Sequence, residues 1–479
     1  MNHASAPLYE TLCVYAEEKN LSLHVPGHKD GSVFDGQARS HFQSILSLDA
    51  TEINGLDDLH HPTGAIAQAQ QLAADAFGAD QTFFLIGGTT AGNLAAALTV
   101  CVPGDTILVQ RNAHKSVCNG LLLAGAQPVY IVPQIEPETE VAAGIHPEQL
   151  QEALRAHPEA KAVWITNPNY YGMTQDVQAL AELCHEAGIP LLVDEAHGAH
   201  LGQARGLPSS ALQAGADLVV QSTHKMLPAM TMASMLHVQG ERISVHRLAS
   251  VLAMIQSSSP SYPLMASLDV ARRYLVMEGR RQLPHTVAKL EQHRQQLGKQ
   301  LKHISLWHER GHDPLKWVLT SRHPALTGYR LLDMLQECGC VAEMADTKNA
   351  VLVFSIAPSD EDIAFAANAI ARVDRMLCEL SEGEAHERLL PFQETLIQPA
   401  VSLQEAFYRS KERVSIEEAV GRVSAEMVIP YPPGIPLLTP GERITPAHIE
   451  AIRRIARAGG YFQGASDDRM ETMFVLVNL

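Results

Sequence analysis

Short, continuous apolar runs alternate with amphipathic stretches from Gln81 to Val238. The runs are Phe83–Ile86, Thr106–Val109, Val129–Val132, Ala162–Thr166, Pro190–Val193, Leu218–Val220 and Ala233–Val238. Most lack the apolar–polar alternation of a half-exposed strand, so they read as strands covered on both faces. Intervening segments such as Pro147–Ala156 and Asp176–Ala187 read as helices. A strand–helix–strand succession predicts right-handed crossovers and a mostly parallel central sheet. Ligands of such sheets bind beyond the carboxyl ends of the strands.

From Ala266 to Ala271 onward the pattern becomes long and helical, and the glutamine-rich stretch Val287–His303 predicts an exposed connecting helix. A second, smaller α/β unit follows: strand Trp317–Thr320, helix Gly328–Glu337, strand Val351–Ile356 and helix Asp362–Leu377. Phe392–Leu403 reads as irregular and Met473–Val477 as a last strand. The pattern thus divides into an arm and major domain over residues 1–300 and a C-terminal α/β domain over 301–479.

Reactive side chains gather at the ends of the apolar runs. Leu218–Val220 leads into Ser222-Thr223-His224-Lys225. A lysine at the end of a buried strand suits Schiff-base chemistry with a cofactor aldehyde, and Ser222 can reach that cofactor's phosphate. Pro190–Val193 ends in Asp194-Glu195-Ala196-His197, which offers Asp194 to a protonated pyridine nitrogen. Lys225 and Asp194 together are what pyridoxal phosphate (PLP) requires, a tether and an anion that keeps the ring an electron sink. Phe83–Ile86 leads into Gly87-Gly88-Thr89-Thr90 and a helix-like Ala91–Leu98, an anion site built from free N–H groups and the helix dipole. Thr106–Val109 leads into Arg111-Asn112-Ala113-His114, and His114 can stack flat on the pyridine ring. Alone, each feature has an ordinary structural counterpart: a surface lysine, a helix cap, a buried loop histidine. Their common position at strand ends joins them.

Across nearly its whole length the chain resembles the ornithine/lysine/arginine decarboxylases of the aspartate-aminotransferase-like PLP fold. The resemblance rests on His24-Val25-Pro26-Gly27-His28-Lys29, Asp57 to Gly64, Gly88-Thr89-Thr90, Thr166 to Gly172, Asp194 to His197 and Ser222 to Lys225. It continues through Ser257 to Tyr262 and Tyr431-Pro432-Pro433-Gly434-Ile435-Pro436. Pro-Gly-His-Lys and Tyr-Pro-Pro-Gly-Ile-Pro are the most specific of these elements. The resemblance implies PLP held by Lys225, Gly88, Thr89, Thr90, His114, Asp194, His197 and Ser222, with His224 or Lys225 returning a proton to Cα. It implies Glu426 as the carboxylate for a substrate's distal cation. It also implies Ser258 in a segment that reaches a neighbouring subunit's phosphate, hence a homodimer at least. The implied reaction is decarboxylation of arginine, lysine or ornithine to agmatine, cadaverine or putrescine, with arginine or lysine favoured. Asn169 stands where a threonine is more usual, and Gly87 replaces a more common asparagine.

Composition narrows the alternatives. The formal charge of −17 argues against a nucleic-acid partner. No apolar run approaches the ~20 residues of a membrane span, and Met1-Asn2-His3-Ala4-Ser5 is not the start of a signal peptide. Seven scattered cysteines fit reduced thiols in a cytoplasm. Among the 23 histidines, Asp194, His197 and His200 have a metal-like spacing, but Asp194 has the stronger use on the pyridine nitrogen, so no metal is expected. Two other readings compete: a PLP enzyme with an aldolase-like or hydroxymethyltransferase-like fate, and a non-enzymatic regulatory subunit.

Overall fold

The computed structural model describes all residues except 19, 324–325, 379–393 and 432–433. Each apolar run forms a strand: β1 Gln81–Leu85, β2 Thr106–Gln110, β3 Gln127–Ile131, β4 Val163–Thr166, β5 Leu191–Asp194, β6 Leu218–Gln221 and β7 Ser234–Val238. Beyond them lie β8 Ile304–Trp307, β9 Lys316–Ser321, β10 Met344–Ala345, β11 Asn349–Val353 and β12 Leu396–Ile397. The large sheet runs β1-β7-β6-β5-β4-β2-β3-β12. Its centre, β6-β5-β4-β2-β3, is parallel, whereas β7 and the edge strand β12 are antiparallel to their neighbours. Strands β4, β5 and β6 are buried at every position. Two-sided burial is why their sequences are continuous apolar runs.

Alternate side chains of the central strands enter two cores. Ile107, Trp164, Leu192 and Val220 pack toward helices Gly88–Val100 and Lys115–Ala124. Leu108, Ile165, Val193 and Val219 face the opposite core, which the second sheet's elements share. Glycines let the first layer close: a Cβ at Gly92 would stand 2.6 Å from Val220 Cγ1 and 2.7 Å from Leu85 Cδ1. The second sheet, β10-β11-β9-β8, is antiparallel throughout. Helices Gly328–Glu337 and Asp360–Leu377 accompany it. The last residues build a separate small core around Val428, Leu438, Ile449, Ile452 and Val475. There Lys411–Ser415 pairs antiparallel with Thr472–Leu476.

Two expectations need correction. The glutamine-rich helix spans Arg280–Gly298 rather than reaching His303, and β8 follows it. It is not wholly exposed either, because Leu283, Leu290 and Leu297 enter the core. The stretch read as irregular contains β12, which pairs with Ile131 and Tyr130; its first residues, Phe392 and Gln393, lie outside the described ones. A two-residue edge strand carries no periodicity to detect. Among the described residues, no helix is long and apolar enough to cross a membrane.

Overpacking a core with a branched side chain costs about 1–3 kcal/mol. Gly92→Val is therefore expected to lower the urea midpoint and the denaturation temperature. An unchanged midpoint would show that helix Gly88–Val100 can lift from the sheet without loss.

Candidate active site

Parallel register brings the strand ends level. Thr166 lies opposite Asp194, and Asp194 lies opposite Val220, two residues before Ser222. At this edge opens a small cleft, lined by Thr89, His114, Thr166, Asp194, His197 and Lys225 among others. Five of the side chains expected from the sequence therefore meet in one place.

Asp194 is 3% exposed. It accepts hydrogen bonds from Asn93 Nδ2 at 2.9 Å and Ala196 N at 3.1 Å. Lys225 Nζ lies 3.1 Å from His197 Nε2 and 5.6 Å from the centre of the Tyr170 ring. Burial pulls its ammonium below the ordinary lysine range, and the charges of Asp194 and Glu343 oppose that shift. Burial and then the neighbouring Lys225 hold His197 far below the usual imidazole value. His114 caps helix Lys115–Ala124 and is pushed down to about 4, chiefly by burial.

Gly88 opens helix Gly88–Val100 with φ +70°, and no side chain caps that helix. Thr89 Oγ1 stands 3.1 Å from Ser222 Oγ, so two hydroxyls and unpaired N–H groups form a ready anion cradle. Thr90 is exposed at the same helix start. Gly87 precedes it as the cap residue, where a Cβ would stand 3.0 Å from Ala91 Cβ.

Besides the cradle residues Gly88, Thr90 and Ser222, three expected residues are absent from the cleft wall. His224 Nδ1 bonds the Ala233 carbonyl at 3.0 Å, and the residue is absent from the cleft wall. Ser258 is exposed on the Ser257–Ser259 bend. Glu426 is tied within the C-terminal unit, accepting from Phe474 N at 2.6 Å and from Ser466 N and Oγ, each at 3.2 Å. Asn169, in place of the usual threonine, organises its turn by accepting from Tyr171 N and Met173 N, both at 3.0 Å.

Other functional side chains went unrecognised in the sequence. Tyr170 forms part of the cleft and also part of a neighbouring pocket that reaches the C-terminal unit. Its backbone is held from the second sheet: Lys316 Nζ donates to Tyr170 O at 3.0 Å, and His312 Nε2 lies 2.8 Å from Tyr171 O. Lys316 is fully buried and pulled down to about 8, first by burial. Arg111 makes a buried two-pronged pair with Glu442, at 3.1 and 2.8 Å, and also bonds the carbonyls of Pro436 and Leu437. This clamp brings Gly434 against His114, where a Cβ would stand 3.5 Å from the ring. The proline-rich motif signalled the contact; its partner Arg111 had no signal beyond lying near His114. Asp194, His197 and His200 turn to three different partners, Asn93, Lys225 and Asp313. Among the described residues, no group of three metal-binding side chains converges.

Removing one member of a buried ion pair costs about 3–5 kcal/mol. Glu442→Gln should therefore lower the urea midpoint markedly and loosen the segment over His114; an unchanged midpoint would mean the clamp carries no load. A second prediction concerns acid. Burial holds His237 to about 3 and His312 and His114 to about 4. Unfolded imidazole titrates near 6.5. Between those values the unfolded chain binds protons that the folded chain refuses, so stability falls as pH drops from about 6.5 toward 4. His237→Gln should flatten that slope in urea titrations at pH 7 and 5; an equal slope would exclude His237 as a contributor.

The family model for the Orn/Lys/Arg decarboxylase major domain matches residues 6–323, and that for its C-terminal domain matches 383–463. An uncharacterised Bacillus subtilis protein, YaaO, is 40% identical over 99% of both chains. An arginine decarboxylase of Halalkalibacterium halodurans is 37% identical, covering 98% of this chain and 97% of its own. A lysine decarboxylase of Pseudomonas aeruginosa, LdcA, is 28% identical over 96% of this chain and 77% of its own. The solved Francisella novicida lysine decarboxylase LdcF superposes with a TM-score of 0.85 at 19% identity, covering 98% of this chain and 81% of that one. With both domain models matched in order and a relative this similar end to end, the chain belongs to the Orn/Lys/Arg decarboxylase family.

Proposed function

We propose that the protein is a PLP-dependent decarboxylase of a basic amino acid, arginine or lysine before ornithine. The observation that carries this reading is the convergence of Lys225, Asp194, His114 and the Thr89–Ser222 cradle in one cleft of a chain from this family. The donor set fits the cofactor that the family implies. A lysine amine, a buried carboxylate and an uncapped helix start match aldehyde, pyridine nitrogen and phosphate. Thr166 Oγ1 and His197 Nδ1 are also buried without a hydrogen-bond partner. Another fate at Cα, or a non-enzymatic role, is the weaker reading, since the family is one of decarboxylases and the whole donor set is present.

PLP, when bound, supplies an electron sink for the pair left at Cα as CO₂ departs. The chain's own groups do the rest. Lys225, its ammonium disfavoured by burial, is disposed to act as a free amine, and His197 Nε2 at 3.1 Å orients it. Asp194 would hold a proton on the pyridine nitrogen. Lys225 lines the cleft and His224 does not, so Lys225 is the better candidate to return the proton to Cα. Tyr170 and the Gly434 segment keep water from the reacting face. For the substrate's distal cation, exposed Glu343 lies outside the cleft wall but near enough for its charge to act on Lys225, Lys316 and Tyr170; Glu426 would have to leave its present hydrogen bonds. Exposed Ser258 keeps its proposed place at a neighbouring subunit's site, which makes a homodimer the expected assembly.

Incubation of the cofactor-loaded protein with arginine, lysine and ornithine separately should release CO₂ and one amine; a loaded protein that releases neither would sink the reading. Lys225→Ala should lose both the visible absorbance and turnover. Asp194→Asn should keep the cofactor while turnover falls on the order of a hundredfold or more. Glu343→Gln should raise KM more than it lowers kcat, and a larger KM effect in Glu426→Gln would transfer the role to that residue.

A further inference from the structure

His114 is wired to Asp194 through two buried side chains, Asn93 and Ser116. Asn93, on helix Gly88–Val100, is fully buried, and Ser116 is 1% exposed. Asn93 Nδ2 lies 2.9 Å from Asp194 Oδ2 and 2.8 Å from Ser116 Oγ. Ser116 Oγ lies 2.7 Å from His114 Nδ1.

The direction of every proton follows from donor chemistry. A carboxylate only accepts, so the amide nitrogen of Asn93, not its oxygen, must face Asp194. The cost is visible, because Asn93 Oδ1 is buried without a hydrogen-bond partner. The second amide proton goes to Ser116 Oγ. Ser116 then directs its own proton to His114 Nδ1, which also receives the Ser116 backbone N–H at 3.3 Å. Nδ1 is therefore an acceptor, and a neutral ring must carry its proton on Nε2.

We propose that Asn93 and Ser116 are positioning residues that hold His114 as the neutral tautomer protonated on Nε2, so that the cleft wall offers an N–H and no charge. The inference rests on the cleft being a PLP site. An imidazolium stacked on the ring would oppose the very protonation that Asp194 secures, since like charges at close range disfavour each other. One carboxylate thus serves twice, directly at the pyridine nitrogen and through Asn93 at the ring above it. The charged and titratable groups facing His114 are Asp194 on β5, Lys225 after β6, Lys115 on its own helix and His197 after β5. Asp194 favours the cation, and the two lysines oppose it. Gly434 approaches the ring edge that carries Nε2, where a Cβ would stand 3.5 Å from His114 Cδ2 and Nε2.

The test is nuclear magnetic resonance of protein carrying ¹⁵N-labelled histidine rings, both cofactor-free and cofactor-loaded. The His114 signals are assigned by their loss in His114→Gln. The expected result is a protonated Nε2 and an unprotonated Nδ1, unchanged from pH 8 down to about 5. In Ser116→Ala, a substitution small enough to preserve the fold, the ring should populate both tautomers and titrate about one pH unit higher. Ser116→Thr, which keeps the hydroxyl, should restore the wild-type pattern. A wild-type ring protonated on Nδ1, or a Ser116→Ala spectrum identical to wild type, overturns the proposal. Failure to turn over any basic amino acid would instead overturn the proposed function and leave the tautomer result standing.

Discussion

A carboxylate buried at the end of a central strand is the constraint around which this structure is arranged. Asp194 has water on almost none of its surface, and a buried charge must be met by donors or a cation. Asn93 and the Ala196 amide meet part of that demand from the protein side. The remainder faces the cleft that Asp194 lines. Parallel pairing of β4, β5 and β6 is what sets Thr166 level with Asp194 and Ser222 two residues beyond it, so the sheet's register and the chemistry are one fact.

Two further units close the cleft, and both do so with buried charge. The second sheet contributes Lys316 and His312, which grip the backbone of Tyr170 and Tyr171. The C-terminal unit is locked by Arg111 and Glu442, with the Pro436 and Leu437 carbonyls filling the rest of the guanidinium fork. Such pairs are poor sources of net stability because desolvation offsets their attraction. Their value here is geometric. A misplaced partner leaves a stranded charge, so the closed arrangement is strongly preferred over a slipped one.

Histidines are abundant in this chain, and their partners sort them by role. His197 faces Lys225, His200 pairs with Asp313, and His237 bridges Thr82 and Gln221 inside the sheet. Burial keeps His237, His312 and His114 uncharged at neutral pH. A neutral interior lined with imidazole is stable only while those rings stay unprotonated, which ties the integrity of the cleft to the acidity around the protein.

The sequence alone determined the seven main strands and the reactive groups at their ends. Two-sided burial writes itself as continuous apolar runs, and a strand end is where a buried element can release Lys225, Asp194 or His114 toward a ligand. It also carried the family, through motifs such as Pro-Gly-His-Lys and Tyr-Pro-Pro-Gly-Ile-Pro. Tertiary structure decided which groups act together across long separations. Asn93 lies amid alanines in a helix, and nothing local shows that its amide faces Asp194 and Ser116. Lys316 opens an apolar strand, and only folding carries it to the carbonyl of Tyr170. Glu426 reads as a pocket carboxylate by resemblance, and nothing local shows that Ser466 and Phe474, some forty residues on, hold it. The physical reason is common to all three. Periodicity and motif report a residue's environment along its own element, whereas hydrogen-bond partners are set by how separate elements pack.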